Sequence, residues 1–279
     1  MNERKAPRRR KKRRRGRGLQ SLLLCTVFLA VFFITWHILP ENPQDSSAHP
    51  TGAAAIEDAR FRKLWKSYAR DHHLTAADWP ADLLAMGGRN PEMDDFILEY
   101  PEKHDLHPEI DLTAEAADDA VPLLMQWDER WGYETYAGSP IGVSGCGPTC
   151  LSMAALYLLD DPKYSPAYVA AFSEKKGYSV DGSGSSWTLI SEGGKQLGLD
   201  VVEIPLSRDR IVRNLEVGNP VICVMGPGDF TSTGHFIVLT GVEHEQFTVN
   251  DPNSRERSER LWAYDEIKDQ IRNLWVLRT

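Results

Sequence analysis

The sequence predicts an α+β domain across residues 112–279, with helices first and a mainly antiparallel sheet after them. Helical patterns occupy 148–159, 165–175 and 187–197, with a shorter one near 208–216. β-type runs follow: VICVM (221–225), HFIVLTGV (235–242), FTVND (247–251) and LWVL (274–277). These runs are short and β-branched or aromatic, with Gly, Pro, Asn and Asp between them. Helices grouped ahead of strands point to α+β rather than to an alternating parallel sheet.

Ahead of this domain the 279-residue chain changes character several times. Residues 1–18 hold eleven Lys or Arg and one acid; the rest has 21 basic against 39 acidic side chains, a net of −18. The next stretch, LQSLLLCTVFLAVFFITWHIL (19–39), is uncharged and mostly apolar. About 20 such residues are needed to cross a bilayer as a helix. The preceding Lys/Arg excess predicts a cytoplasmic N-terminus and an extracytoplasmic remainder. A cleaved signal peptide is the rival reading, weakened by the length of the run and the lack of a small-x-small site after it. Beside a membrane span the arginine block is a topology signal rather than a nucleic-acid arm.

Residues 40–56 (PENPQDSSAHPTGAAAI) have linker composition. In EDARFRKLWKSYARDHH, the residues Phe61, Leu64, Trp65, Tyr68 and Ala69 fall on one helical face. Asn90–Pro91 supplies a cap and a first-turn proline, opening a helix through Phe96 and Ile97. Residues 57–111 therefore form a small helical module, joined to the main domain by the acidic stretch 109–119.

The chemistry concentrates at GVSGCGPTC (142–150), which runs straight into LSMAALYLL. Proline is favoured in a helix's first turn, so Cys146 is placed where a glycine-loosened loop meets a helix N-terminus. The positive end of the helix dipole stabilises a thiolate there. Only Cys146, Cys150 and Cys223 lie beyond the apolar segment, too few for a closed disulfide framework. Cys146 and Cys150 have no second close pair, which suits zinc poorly.

A cysteine nucleophile needs a base, a group to orient the base, and donors for an oxyanion. His235 opens the apolar strand after GPGDFTSTG, whereas His244 lies in a charged turn and is a solvated residue. The next strand ends in TVNDPNS, and in an antiparallel hairpin that end lies beside the start of its neighbour. Asn250 and Asp251 are thus both expected near His235. Gln126, in VPLLMQWDERWG, is a candidate amide donor 20 residues before the cysteine. The loop VDGSGSSW (180–187) is a candidate cleft wall.

Taken together, VPLLMQWDERWG, SGCGPTCLSMAA, GHFIVLTG and VNDP resemble the bacterial cysteine peptidases of family C-thirty-nine and their C-thirty-nine-like relatives. The resemblance spans roughly 119–279 and implies a papain-like fold, shared with bacteriocin-processing leader peptidases. It implies Cys146 as nucleophile, His235 as base, Asp251 as orienting residue and Gln126 as oxyanion donor. NPEMDDFILEYP resembles segments that precede such domains in Gram-positive surface proteins. Cys150 stands where a small residue such as Ser is more usual, and is expected to pack as a small apolar group. No transporter domain follows, so export-coupled leader cleavage is not implied.

The expectation is a membrane-anchored, extracytoplasmic cysteine peptidase that needs no cofactor or metal. Its partners are a peptide or protein substrate, cell-wall peptide included, and the membrane through residues 19–39, but not nucleic acid. A peptidoglycan amidohydrolase, an acyltransferase using the same acyl-enzyme, and a non-catalytic surface binding module are the alternatives.

Overall fold

The computed structural model describes residues 56–279. The basic tail, the apolar segment 19–39 and the linker as far as residue 55 lie outside the described residues. Among the described residues no helix is long and apolar enough to cross a membrane.

Helix α1 (Ala59–Asp71) begins at Asp58, whose carboxylate accepts the Phe61 N–H at 2.6 Å. It buries Phe61, Trp65 and Ala69, one residue per turn. Leu64, expected on the same stripe, is 42% exposed, and Tyr68 is half-buried. The packed face is the narrow 61–65–69 row, and Leu64 falls off its edge. Helix α2 (Ala81–Met86) follows. The Asn90 side chain then accepts the Glu92 N–H, and Pro91 opens a 3₁₀ turn that runs into α3 (Asp94–Leu98). This is the cap-and-proline start read from the sequence.

The buried cluster of this segment is not self-contained, because it takes in Tyr133 from the main domain. Phe96 stacks on Tyr133 with ring centroids 4.3 Å apart and planes 4° from parallel. Gly142 makes room for that stack; a Cβ there would lie 2.6 Å from the Phe96 ring. The acidic stretch 109–119 does more than join the two parts. A helical turn at Thr113–Ala116 sends Leu112 and Ala116 into the main core.

The main domain has two long helices, α4 (Cys146–Leu159) and α5 (Pro166–Lys176), then α6 (Arg208–Leu215). Five strands form its sheet: β1 (Asp200–Glu203), β2 (Val221–Met225), β3 (His235–Glu243), β4 (Gln246–Asn250) and β5 (Ile271–Arg278). Their order is β1-β5-β2-β3-β4, and every neighbouring pair is antiparallel. The domain is thus a mixed helix and antiparallel-sheet fold. β1 has too few apolar residues to show in the sequence; it pairs only with β5, at the sheet edge.

Both faces of the sheet are covered, which explains why β2 is apolar throughout. Ile222 and Val224 join the core beneath α4 and α5, while Val221, Cys223 and Met225 join a second core under α6. The β3–β4 turn is His244–Glu245, with φ of 49° and 63° at two residues other than glycine. His244 is exposed there, as expected of a solvated turn residue. The 187–197 pattern becomes a wide turn at Leu189–Gly193 followed by Gly194–Leu197.

Candidate active site

Helix α4 starts at Cys146, directly after Gly145. Pro148 has no N–H to leave unpaired, and the Thr149 N–H and hydroxyl both bond to the Gly145 carbonyl, at 3.0 and 2.8 Å. The Gly147 N–H, in the same first turn, is one of the backbone donors that lower the Cys146 thiol. Gly147 also allows close approach of the 180–187 loop. A Cβ on it would sit 2.4 Å from Ser185 Oγ, an atom held in turn by the Tyr136 hydroxyl at 2.7 Å. The loop predicted as a cleft wall forms a short hairpin pairing Ser179–Val180 with Gly184–Ser185 and lies against this helix start. Trp187, just beyond it, is 46% exposed.

His235 opens β3, opposite Met225 of β2, and is buried. Its Nε2 lies 2.8 Å from Asp251 Oδ1, so Nδ1 is the ring nitrogen left over for Cys146. The sequence left Asn250 and Asp251 open as the partner, and the structure separates them. Asn250 turns away and donates to the Val121 and Pro122 carbonyls, both at 3.0 Å. Asp251 is wholly buried and turns toward the imidazole.

Three donors converge on that carboxylate. His235 Nε2 and the Asn253 N–H share Oδ1, each at 2.8 Å, and Arg257 Nε donates to Oδ2 at 2.6 Å. Arg257 lies on the short helix Arg255–Glu259, whose Ser258 Oγ accepts the Asp251 N–H at 2.9 Å. Nothing in SRERSER marks Arg257 off from Arg255 or Arg260, and sequence reasoning missed it.

The charges support one another. Burial pushes the Cys146 thiol up. The hydrogen bond and positive charge of His235, with the Phe236 and Gly147 N–H groups, outweigh it and bring the thiol below its ordinary value. For His235 burial acts downward, but the charge and hydrogen bond of Asp251, joined by Cys146, raise the imidazole to about 10. Asp251 is raised by burial and lowered more strongly by His235 and Arg257, so it stays below the usual carboxylate range. Cys150 and Cys223 are both buried and free, and burial pushes both thiols up. Cys150 packs among the apolar residues of the main core, as its neighbours in the sequence suggest.

Gln126 is buried beside the turn that precedes Cys146. Its backbone N–H bonds to the Pro252 carbonyl at 2.7 Å, tying it to the Asp251 loop. Its Nε2 donates to the Gly142 carbonyl at 2.8 Å, with Val143 O at 3.5 Å, and its Oε1 has no partner. The Gly142 bond fixes which way round the amide lies, because its oxygen facing that carbonyl would set acceptor against acceptor. Among the described residues no three His, Cys, Asp or Glu side chains are placed to hold a metal ion.

The family model described as Peptidase_C39 like family matches residues 119–279, more than half of the chain. Two solved structures are similar at low identity. One is the peptidase domain of Streptococcus ComA, described as a bi-functional ABC transporter involved in a quorum sensing pathway. It shares 21% identity at a TM-score of 0.38, over 48% of this chain and 91% of that one. The other is a putative C39-like peptidase from Bacillus anthracis, with 16% identity and a TM-score of 0.34, over 62% of this chain and 98% of that one. No match was found among curated proteins.

Proposed function

The chain belongs to the Peptidase_C39 like family, and on that premise we propose that it is a membrane-anchored, extracytoplasmic cysteine peptidase of papain-like fold. Cys146 is its nucleophile, His235 its acid–base group, Asp251 the orienting carboxylate and Gln126 an oxyanion donor.

The observation that carries the reading is the continuous row Cys146–His235–Asp251, with Cys146 at a helix start and partly exposed while its partners are buried. As a thiolate, Cys146 attacks the carbonyl carbon of a peptide bond. The oxyanion is held by the Cys146 N–H and by the Gln126 amide, whose second hydrogen is held only loosely by the Val143 carbonyl at 3.5 Å. His235, protonated at Nδ1, gives that proton to the leaving amine as the C–N bond breaks. A water then enters, His235 takes one of its protons, and the hydroxide equivalent releases the acyl group and restores the thiolate. Asp251 holds the ring by Nε2 throughout.

Placement at the membrane rests on residues 1–39, where an uncharged apolar run follows a basic block. The substrate is a peptide or protein outside the cytoplasm. The test is digestion of a peptide pool by the full-length protein, with new termini read by mass spectrometry. New termini that vanish in Cys146→Ala and in His235→Ala are expected. Equal products from the Cys146→Ala protein, or none from the wild type, would overturn the reading.

A further inference from the structure

The upstream helical segment lies outside the residues matched by the family, yet two of its side chains reach the loop that carries Asp251. The Asn90 side chain donates to the Asn253 carbonyl, which Trp127 Nε1 also bonds at 3.2 Å. The N–H of that same Asn253 donates to Asp251 Oδ1. The Glu92 carboxylate accepts from Ser254 Oγ at 2.7 Å and from the backbone N–H groups of Arg255 at 2.8 Å and Glu256 at 3.4 Å. Ser254 Oγ in turn accepts the Arg257 N–H at 3.2 Å, and Arg257 is the cation on Asp251 Oδ2.

Asn90 therefore holds one donor to Asp251, Asn253, directly, and Glu92 reaches another, Arg257, through Ser254. They are themselves fixed. Asn90 is buried and Oδ1 of its amide accepts the Glu92 N–H. Asp94 at the start of α3 is paired with Arg60 of α1 at 2.5 Å, and Phe96 is stacked on Tyr133. A carboxylate spent on backbone N–H groups of a distant loop orders that loop at little entropic cost, because both ends are already packed.

We infer that Asn90 and Glu92 are positioning residues that clamp the 251–257 loop, so the upstream segment is a structural part of the catalytic unit. The inference rests on the cysteine-peptidase reading of the same site. The charged groups facing Asp251 are His235 and Arg257, and Cys146 faces His235. Loosening the loop weakens the hold of Asp251 on the imidazolium, and with it the stabilisation of the thiolate.

The experiment follows the rate of iodoacetamide alkylation at Cys146 against pH in the full-length protein. It compares wild type, Glu92→Ala, Glu92→Gln, Asn90→Ala and a neighbouring surface control, Arg89→Ala, with thermal melts alongside. A wild-type thiolate persisting below the ordinary thiol range of about 8.5 is expected. Glu92→Ala and Asn90→Ala should move its midpoint up by about one pH unit, which is roughly tenfold slower labelling on the acid limb. Glu92→Gln should fall between them and wild type, and Arg89→Ala should match wild type. A purely structural role would lower the melt and leave the midpoint in place, and that result overturns the clamp while sparing the peptidase reading. A wild-type cysteine that titrates as a free thiol overturns both. Should Glu92→Ala not fold, the near-isosteric Glu92→Gln is judged by the same shift.

Discussion

Replacing Asp251 by Asn tests whether the buried carboxylate is held by its charge or only by its shape. In the native site two oxygens serve three donors: His235 Nε2 and Asn253 N on Oδ1, and Arg257 Nε on Oδ2. An amide keeps one oxygen. If it takes the Oδ1 place, an NH₂ group faces Arg257; if it is flipped, it faces both His235 and Asn253. Either way a donor meets a donor, and a guanidinium about three-quarters buried loses its carboxylate. Breaking a buried pair by removing one partner costs about 3–5 kcal/mol. The partial exposure of Arg257 puts the expected loss near the lower end, about 3 kcal/mol.

The pH dependence has a definite sign. The folded pKa of Asp251 lies below its unfolded value, so its contribution is fully present above the unfolded value, near 3.9, and fades as pH falls through the folded one. Urea denaturation at pH 7 and at pH 3, below the unfolded value, should therefore show Asp251→Asn losing less at the lower pH. The double variant Asp251→Asn/Arg257→Gln should recover part of the loss, since neither charge is then stranded. A cost below about 1 kcal/mol at pH 7, or strict additivity of the two substitutions, would refute the account of Asp251 as a charge held between two cations.

Other outcomes follow from the same geometry. The pH profile of kcat/KM should be a bell whose acid limb lies below the ordinary thiol range, because protonating the thiolate ends the reaction. Its alkaline limb should extend toward about 10, because His235 must keep its proton; both limbs belong to the coupled pair. Gly147→Ala places a methyl 2.4 Å from Ser185 Oγ, so the hairpin or the helix start must shift. A loss of peptidase rate of at least about tenfold is expected with the melt little changed, since small displacements of reacting groups are costly. Phe96→Ala empties the stack on Tyr133 and should cost about 3–5 kcal/mol by urea denaturation. In native protein iodoacetamide should label Cys146 but neither Cys150 nor Cys223, both of which should react only after denaturation; peptide mapping checks this.

The parts of the fold that the sequence displays are those with strong periodicity or strong punctuation. VICVM and HFIVLTGV coincide with β2 and β3 to within a residue, because a strand buried on both faces must be apolar throughout. The Asn90–Pro91 start is visible because capping is local chemistry. Cys146 and His235 are visible for a similar reason: each opens an element, where a titratable side chain breaks the local pattern. Arg257 leaves no such mark. Its role depends on a short helix turning back onto a loop, and the flanking Arg255 instead lies over the Trp127 ring. The dependence of that loop on Asn90 and Glu92 is set by tertiary contact across some 160 residues, which no local pattern encodes.

The site makes electrostatic sense only with Arg257 included. A thiolate, an imidazolium and a carboxylate in a row carry a net charge of −1, and Asp251 within that row has no exposure to water. Burying an uncompensated charge costs several kcal/mol, and the usual escape is protonation. Were Asp251 to take up a proton, His235 would lose the partner that keeps it charged, and Cys146 would return to the thiol. Arg257 closes the row as an alternation of negative, positive, negative and positive, neutral overall. It also binds Oδ2, so that Oδ1 is left to the imidazole. A guanidinium is the suitable end group, since its planar, rigid fork aims Nε at Oδ2 in a fixed direction. The low thiol pKa is thus a property of four residues rather than two, and its last member is held by the loop that Glu92 ties down.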